Sequence, residues 1–314
     1  MWRFMIKISV IIPVFNKETT IARALNSVFN QKERPDEIII INDGSTDNSV
    51  QVIQQFDDAI IKLFHQSNSG VSIARNKAIE NAKFDYIAFL DADDEWLPEY
   101  ISTIKSMIHL YPEAIGYGTT YIIKSETGVS NNIKLGHLPF SDNTGIIYNY
   151  FEVSNHSDPP IWTSAVCIRK KDLLDVGGFP AGVKAGEDLI TWARLALKGH
   201  FAYSITPLSV YYQSTFDKIP PPPPSYDFVG NQLVEMERNS KSREKKELKK
   251  YISRWNKMRA SLFLINGKEM QALKEITKSL WYDLSNLKAG ALFLLLPMTA
   301  RIRYKLLFSN KFKR

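Results

Sequence analysis

The 314-residue chain has a single cysteine, Cys167. An internal disulfide is therefore excluded, as is a metal site built on paired cysteines, and a reducing compartment fits. No Gly-x-Gly-x-x-Gly follows an apolar run, which argues against dinucleotide-dependent redox chemistry. No internal repeat is visible. Long apolar runs are missing too. The best candidate, LKAGALFLLLPMTARIRYKLLF (287–308), holds an apolar core of about 12 residues broken by Pro297, where a span needs about 20. The opening stretch MWRFMIKISVIIPVFN has basic residues before an apolar run, as a secretory signal does. Pro13 breaks that run and no small-residue cleavage site follows, so a buried strand is expected.

What is present suffices for one substantial core and a smaller second unit, since 44% of residues are hydrophobic and 12% aromatic. The net charge of +7 conceals an asymmetry. Residues 238–314 hold 20 Lys/Arg and 5 Asp/Glu, whereas residues 1–237 hold 20 and 28. Two units with different partners are implied. The polyproline stretch IPPPPPSY (219–226) marks the break, being unable to join a helix or a central strand. The expected organisation is a domain over 1–218, a linker over 219–225 and a helical basic region over 226–314.

Apolar, β-branched runs at 6–14 and 37–41 read as buried strands, and 60–64 and 86–90 as a third and a fourth strand. Between them, residues 18–31 place Ile21, Ala24, Leu25 and Val28 at helical spacing, and 70–82 read as another helix. Ser45 or Thr46 is a candidate cap for a helix after DGSTDNS (43–49). Pro98 sits near the start of a helix running to about 110. This alternation predicts an α/β fold, a mostly parallel sheet with helices on both faces. Beyond 114, AIGYGTTYIIK, WTSAVCIRK and HFAYSITPLSVYYQ read as strands, and KDLLDVGGF as a short helix ended by glycines. GEDLITWARLALKG (186–199) reads as an amphipathic helix with Leu189, Trp192, Leu195 and Ala196 on one face.

Ligands of such sheets bind beyond the carboxyl ends of the strands. Asn16 with Glu18, Asn42 with Asp43, and Asp91 with Asp93 all fall there and should converge. In FLDADDEW (89–96), Asp91 and Asp93 can both reach one ligand, and oxygen-only donors favour Mg²⁺ or Mn²⁺. The alternative is a set of helix N-terminal acids, a role that suits Asp94 and Glu95. Asp43 can accept a hydrogen bond from a base or ribose, or merely start an Asx-turn. Arg75, in NSGVSIARNKAI (68–79), can neutralise a diphosphate or lie on a solvated helix face. The Glu187–Asp188 pair is either a helix cap or the carrier of a general base.

In order and spacing, ISVIIPVFN, INDGSTDNS, NSGVSIARNKAI, FLDADDEW and GEDLITWARLALKG resemble the family 2 glycosyltransferases, inverting enzymes of the GT-A fold. The resemblance covers residues 6 to about 213, roughly two-thirds of the chain. It implies a nucleotide-sugar half over 1–113 and an acceptor half over 114–218. Pro13, Val14, Asn16 and Glu18 would line the nucleotide pocket and Asp43 would hold the base. Arg75 and Asn76 would lie by the ribose and phosphates. Asp91 would face the ribose, and Asp93, with Asp91, a divalent Mn²⁺ or Mg²⁺. Asp188 would be the catalytic base, with Glu187, Gly178, Phe179 and Trp192 on the acceptor side. The expected donor is a UDP-sugar and the acceptor a glycan or lipid-linked hydroxyl of envelope polysaccharide synthesis.

Two departures stand out. VYYQSTF (210–216) lacks the histidine that many relatives use as an extra metal ligand. YISRW (251–255) has Tyr251 where processive members carry glutamine, so Arg254 and Trp255 read as helix packing and one sugar is expected per acceptor. The basic tail, with Arg301, Arg303, Lys305 and KFKR (311–314), suits an interfacial helix on anionic lipid at the cytoplasmic face of a membrane. A helix packed on the catalytic domain is the alternative. No nucleic-acid motif accompanies the charge. The competing functions are a non-catalytic nucleotide- or glycan-binding protein of the same fold, and a HAD-like phosphatase. The latter would place Asp-x-Asp on the first strand rather than the fourth.

Overall fold

The computed structural model describes residues 5–125, 128–213 and 220–308. Two units make up the chain, Met1–Ser214 and Thr215–Arg314. The first begins with β1 (Ile8–Val14), α1 (Ile21–Phe29), β2 (Glu37–Asn42), α2 (Ser49–Ile53), β3 (Ile61–His65) and α3 (Val71–Asn81). It continues through β4 (Tyr86–Phe89), a short β5 (Glu95–Trp96), α4 (Tyr100–Leu110), β6 (Gly116–Ser125), β7 (Ser130–Asn132), β8 (Thr144–Ile147) and α5 (Tyr150–His156). After a 3₁₀ turn at Thr163–Ala165 come β9 (Val166–Arg169), α6 (Lys170–Asp175), α7 (Glu187–Lys198) and β10 (Phe201–Gln213).

All ten strands join one sheet, ordered β3-β2-β1-β4-β9-β6-β10-β5, with β7 beside β6 and β8 beside β10. The chain winds outward from β1 to β3, then crosses to β4 on the other side of β1. That reversal is the topological switch point at which open α/β sheets bind ligands. The register Val14↔Asn42 and Ile11↔Phe89 sets the carboxyl ends of β1, β2 and β4 side by side. These strands are buried on both faces, which is why they read as continuous apolar runs. Ile8, Val10, Ile12, Ile38 and Ile40 pack in one core with Ile21, Ala24, Leu25 and Val28 of α1 and Ile101 and Ile104 of α4. On the opposite face Phe89 meets Phe179 and Trp192, at ring separations of 5.4 and 6.3 Å.

The mostly parallel expectation holds for β1 to β4. Beyond them the sheet is mixed: β9 runs antiparallel to both β4 and β6, and β5 and β8 run antiparallel to β10. Parallel neighbours need long crossovers, which the first half supplies as helices; the second half supplies fewer. Of WTSAVCIRK only Val166–Arg169 is strand. Neither Ser45 nor Thr46 caps α2. Asn48 takes the N-cap position, and Asp47 accepts from the Ser49 amide and hydroxyl at 3.0 and 2.6 Å. The buried face of α7 is rotated from the one expected, comprising Ile190, Thr191, Trp192, Ala193 and Leu195.

The second unit holds α8 (Phe228–Asn239), α9 (Ser242–Ile265), α10 (Glu269–Tyr282), α11 (Leu287–Ala291), a 3₁₀ turn at Leu292–Leu295 and α12 (Ala300–Phe308). Its core joins Ala260, Phe263 and Leu264 to Ala272, Ile276, Leu292 and Leu295. The polyproline stretch is more than a linker. Asn266 donates to the Pro220 carbonyl at 2.9 Å and Arg259 to the Pro224 carbonyl at 3.0 Å. Four residues of polyproline helix rise about 12 Å and two turns of α-helix about 11 Å, so the stretch can run along α9 in register. Trp255 is buried, its indole N–H donating to Asp227 at 3.0 Å, in keeping with a packing role.

Candidate active site

The loops after β1 and β2 brace each other. Asn16 adopts a left-handed φ of 51° and donates its N–H to Ser45 Oγ at 3.1 Å, while its Oδ1 accepts from the Thr46 amide at 2.8 Å. Glu18 Oε2 accepts from the Asn48 amide and side chain, each at 2.9 Å. Both residues thus shape the rim of the strand ends. Pro13 pairs with Ile41 across the sheet, half-buried. Val14 corrects the sequence expectation: its side chain is 1% exposed in the core and only its backbone reaches the rim, where its carbonyl accepts from Asp43 N–H at 2.8 Å. Asp43 is buried and clamps the loop before α3, accepting from Gln66 and Ser69 on Oδ1 at 2.8 Å and from Gly70 on Oδ2 at 2.9 Å. A carboxylate has about four acceptor positions, so Oδ2 retains capacity for a ligand N–H.

Arg75 is the centre of the arrangement. It is buried on α3 and donates to Asp91 Oδ1 at 2.7 Å and to Glu187 Oε1 at 3.1 Å, with its guanidinium 5.1 Å from the Phe179 ring centre. The solvated reading of Arg75 is therefore wrong, because two carboxylates repay its desolvation. Neighbouring Asn76 does not face outward. Its amide pairs with Phe179 on both sides, donating to the carbonyl at 2.7 Å and accepting from the N–H at 2.9 Å. The Gly177-Gly178-Phe179 turn is held in this way, and Gly178 needs its glycine. Its φ is +64°, and a Cβ would lie 2.5 Å from Asn76 Oδ1. Phe179 and Trp192, each 1% exposed, stack edge-on with ring centres 5.6 Å apart. Burial removes both from direct acceptor contact; they form the wall behind Arg75.

The acidic stretch divides differently from the sequence reading. Asp91 and Asp93 remain partly exposed, Asp91 bonded to Arg75 and Asp93 to the Lys17 ammonium. Asp94 and Glu95 are not helix N-terminal acids, because α4 starts only at Tyr100. Glu95 lies in β5, paired with Val210. Asp94 is 1% exposed and accepts from Ser164 Oγ at 2.5 Å and the Tyr212 amide at 3.1 Å. Burial, with the Asp91 charge next, pushes its carboxyl up to about 8. Ser164 is the hub beneath: its hydroxyl accepts from the Asp91 amide at 3.0 Å and its carbonyl from the Trp96 indole at 2.7 Å. Arg23 donates to the Asp93 carbonyl and stacks 3.6 Å from the Tyr212 ring centre. Lys17, Arg23 and Ser164 escaped the sequence reading. Lys17 had a signal, lying between Asn16 and Glu18, but Ser164 had none.

Asp188 and Glu187 open α7, after Gly186 in the left-handed region at φ 82°. Asp188 Oδ1 accepts from the Leu189 amide at 2.7 Å. Burial raises the Asp188 carboxyl above its usual range, with Asp91 adding to the rise and Arg75 and the backbone amide opposing it. Glu187 is raised by burial and then by Asp188, again against Arg75. Such a carboxylate is better disposed to take up a proton than an ordinary aspartate.

Among the described residues no group of three or more His, Cys, Asp or Glu is arranged to hold a metal ion. Residues 214–216, within the stretch lacking the family histidine, lie outside the described residues. Asp91 and Asp93 still fit a cation that is held chiefly by ligand phosphates and water, since Mg²⁺-type sites commonly use one or two carboxylates. The hydrogen bonds to Asp91 and Asp93 each engage a single carboxylate oxygen.

Comparison with known proteins bears on family and fold. The model of Glycosyl transferase family 2 matches residues 9–165, half of the chain. The glycosyltransferase GlyA of Streptococcus pneumoniae is 32% identical over 187 residues, 58% of this chain and 27% of its own. The putative teichuronic acid biosynthesis glycosyltransferase TuaG of Bacillus subtilis is 29% identical over 212 residues, 66% of this chain and 78% of its own. The chain spans less than a third of the length of GlyA and of the E. coli protein YibD. Among solved structures, S. aureus TarS 1–349 in complex with UDP-GlcNAc matches with a TM-score of 0.62 at 16% identity, covering 92% of each chain. That likeness is one of fold, GT-A. With the family model spanning the whole strand-end site from β1 to Ser164, the chain belongs to glycosyl transferase family 2.

Proposed function

We propose that this chain transfers a sugar, with inversion, from a nucleoside diphosphate donor to a hydroxyl of a glycan or lipid-linked acceptor in envelope polysaccharide synthesis. The observation that carries the reading is the Arg75 bridge. It joins Asp91 at the strand ends to Glu187 beside Asp188, so that donor-side acids and a proton-accepting carboxylate share one site. UDP-sugar is the donor we favour, supported by the TarS complex with UDP-GlcNAc. An envelope acceptor is supported by the teichuronic acid role given to TuaG. A cytoplasmic location, on the inner face of the membrane, follows for such an acceptor.

In this reading Asn16 and Glu18 keep the rim in shape and Asp43 Oδ2 accepts from the base. Asp91 and Asp93 would hold a divalent cation, Mn²⁺ or Mg²⁺, which when bound neutralises the diphosphate. Asp188 takes the proton of the acceptor hydroxyl. As that oxygen bonds to the anomeric carbon, the bond to the diphosphate oxygen breaks and the nucleoside diphosphate departs with the electron pair. Attack from the face opposite the leaving group inverts the configuration. Arg75 opposes the rise that burial and Asp188 impose on the Glu187 carboxyl, and its bond to Glu187 orients the start of α7.

The test is transfer from a nucleotide-sugar panel to a simple glycan acceptor, with the product anomer read by proton NMR. An inverted product is expected. The active form of Asp188 is ionised, so its raised carboxyl places the acid limb of kcat/KM above that of an unshifted aspartate, with activity falling as pH falls through it. A retained anomer would overturn the mechanism. Nucleotide binding without transfer to any acceptor would instead support the non-catalytic reading.

A further inference from the structure

Two surfaces that the sequence offered to partners are otherwise engaged. Phe179 and Trp192 stand buried behind Arg75. In the basic tail Arg303 is 2% exposed and structural, bonded to Glu269 at 2.6 Å and to the carbonyls of Leu264 and Leu295 at 3.0 and 2.9 Å. KFKR (311–314) lies outside the described residues. Among the described residues no helix is long and apolar enough to cross a membrane. A third surface, unassigned by sequence, stands at the strand ends. Trp162 and Tyr211 are half-buried there with ring centres 4.5 Å apart, and Trp162 stacks on the buried Tyr121 at 5.5 Å. The register Tyr121↔Ser209 and Ile123↔Tyr211 turns both tyrosines to one side of β6 and β10. Trp162 and Tyr211 thus form an aromatic shelf.

Strand register sets the shelf beside the acids. Ala88 pairs with Cys167, which pairs in turn with Tyr117. Asp91 is three residues beyond Ala88 and Tyr121 four beyond Tyr117, so they stand at nearly the same height, two strand spacings or about 10 Å apart. Asp43, at the end of β2, lies two strands to the other side of β4. The shelf and Asp43 therefore flank Asp91. Hydrogen bonds close the join. Asp94 accepts from the Trp162 indole N–H at 3.4 Å and from the amide of Tyr212, next to Tyr211, at 3.1 Å. Ser164, two residues after Trp162, donates to Asp94 at 2.5 Å and accepts from the Asp91 amide at 3.0 Å. In keeping with that nearness, burial foremost and then the charges of Asp94, Asp93 and Asp91 raise the Tyr211 phenol above its ordinary range.

We propose that Trp162 and Tyr211 form the acceptor subsite and that its occupant is a pyranose ring, packed on the aromatic shelf with the accepting hydroxyl turned toward Asp188. This rests on the transferase reading above and names the chemical class of its acceptor. Chemistry selects the occupant. One face of a pyranose presents axial C–H bonds, slightly positive, to the negative face of an aromatic ring. An acyclic polyol has no such face. The Tyr211 phenol can donate to a sugar hydroxyl or accept from one, the kind of placed polar group that orients a ligand on an apolar wall. Position selects acceptor over donor, because the shelf lies on the side of Asp91 away from Asp43. The base is on hand as well, since Arg75 joins Asp91 to Glu187, the neighbour of Asp188. Rings already packed on Tyr121 lose little freedom when a sugar lands on them.

The test uses the full chain and saturation-transfer NMR, with methyl hexopyranosides and glycerol 3-phosphate as probes, each with and without UDP and Mn²⁺. In the wild type the protons of one ring face of at least one pyranoside should be marked, and glycerol 3-phosphate should not. Trp162→Ala should weaken pyranoside binding about tenfold and raise the acceptor KM as much, with kcat nearly kept. Trp162→Phe should restore most of the binding. Tyr211→Phe removes the phenol without opening a cavity and should weaken binding about fivefold. The thermal shift given by a nucleotide sugar with Mn²⁺ should be the same in all three variants as in the wild type. No pyranoside marked in the wild type, marking of glycerol 3-phosphate alone, or variants that bind pyranosides as the wild type does would overturn the proposal. So would loss of the donor shift in Trp162→Ala, which would make Trp162 a support of the acidic loop. A wild type that binds pyranosides in this way yet shifts with no nucleotide sugar would count against the transferase reading alone.

Discussion

Replacing Asp188 by Asn is expected to lower kcat by about a thousandfold, within the range that a positioned general base contributes. The melting temperature should hold or rise, because the substitution removes a carboxylate whose ionised form is disfavoured by burial. Donor affinity should change little, since no strand-end loop depends on Asp188. Among the described residues its side chain accepts a hydrogen bond from the Leu189 amide on its own helix alone, and an asparagine oxygen can replace it. Asp188→Glu should recover part of the rate, limited by the displaced oxygen. Steady-state kinetics beside a melting curve decide the matter. Normal turnover in a folded Asp188→Asn protein would assign the base to another group, Glu187 being next in line.

Arg75→Met is the largest expected loss of stability, about 3 kcal/mol or more, because it leaves Asp91 and Glu187 facing each other without the cation that repays their desolvation. For a unit of this size that is a fall in melting temperature of about 6 °C or more. The cause can be separated from lost packing on Phe179 by adding Glu187→Gln. The double variant should regain part of the loss, since the pair is coupled through one guanidinium. Arg75→Lys should be intermediate, as an ammonium lacks the planar fork that reaches both carboxylates. An Arg75→Met protein melting like wild type would show that the bridge contributes nothing to the fold.

The two cases differ in how far the sequence led to them. Strands β1 and β2 and helix α1 were legible because burial on both sheet faces writes continuous β-branched runs and helix burial writes a 3.6-residue period. The strand-end positions of Asn16, Asp43, Asp91 and Asp93 followed from that alternation. Partnership was not legible. For Arg75 the residues left a diphosphate partner and a solvated helix face both open, because its two acids arrive from the loop after β4 and from α7, far along the chain. Asp94 looked like a helix-start acid beside Pro98, yet β5 intervenes and turns it inward onto Ser164. Phe179 and Trp192 stand where the resemblance expected acceptor-side residues, but a buried aromatic and an exposed one have the same letter. In the tail, one basic helical pattern contained both the buried Arg303 and the exposed Leu287, and only packing separates them.

Most direct for the central claim is the thermal shift of the full chain over a panel of nucleoside diphosphate sugars, with and without Mn²⁺, for wild type and for Asp93→Asn. A ligand that binds only the folded state at a hundred times its Kd stabilises it by about 2.7 kcal/mol. Expected is a rise in melting temperature with one or a few donors, larger with Mn²⁺, and loss of that metal-dependent part in Asp93→Asn. No shift with any nucleotide sugar, or a shift that Asp93→Asn leaves untouched, would contradict the assignment of this strand-end site to a donor diphosphate and its cation.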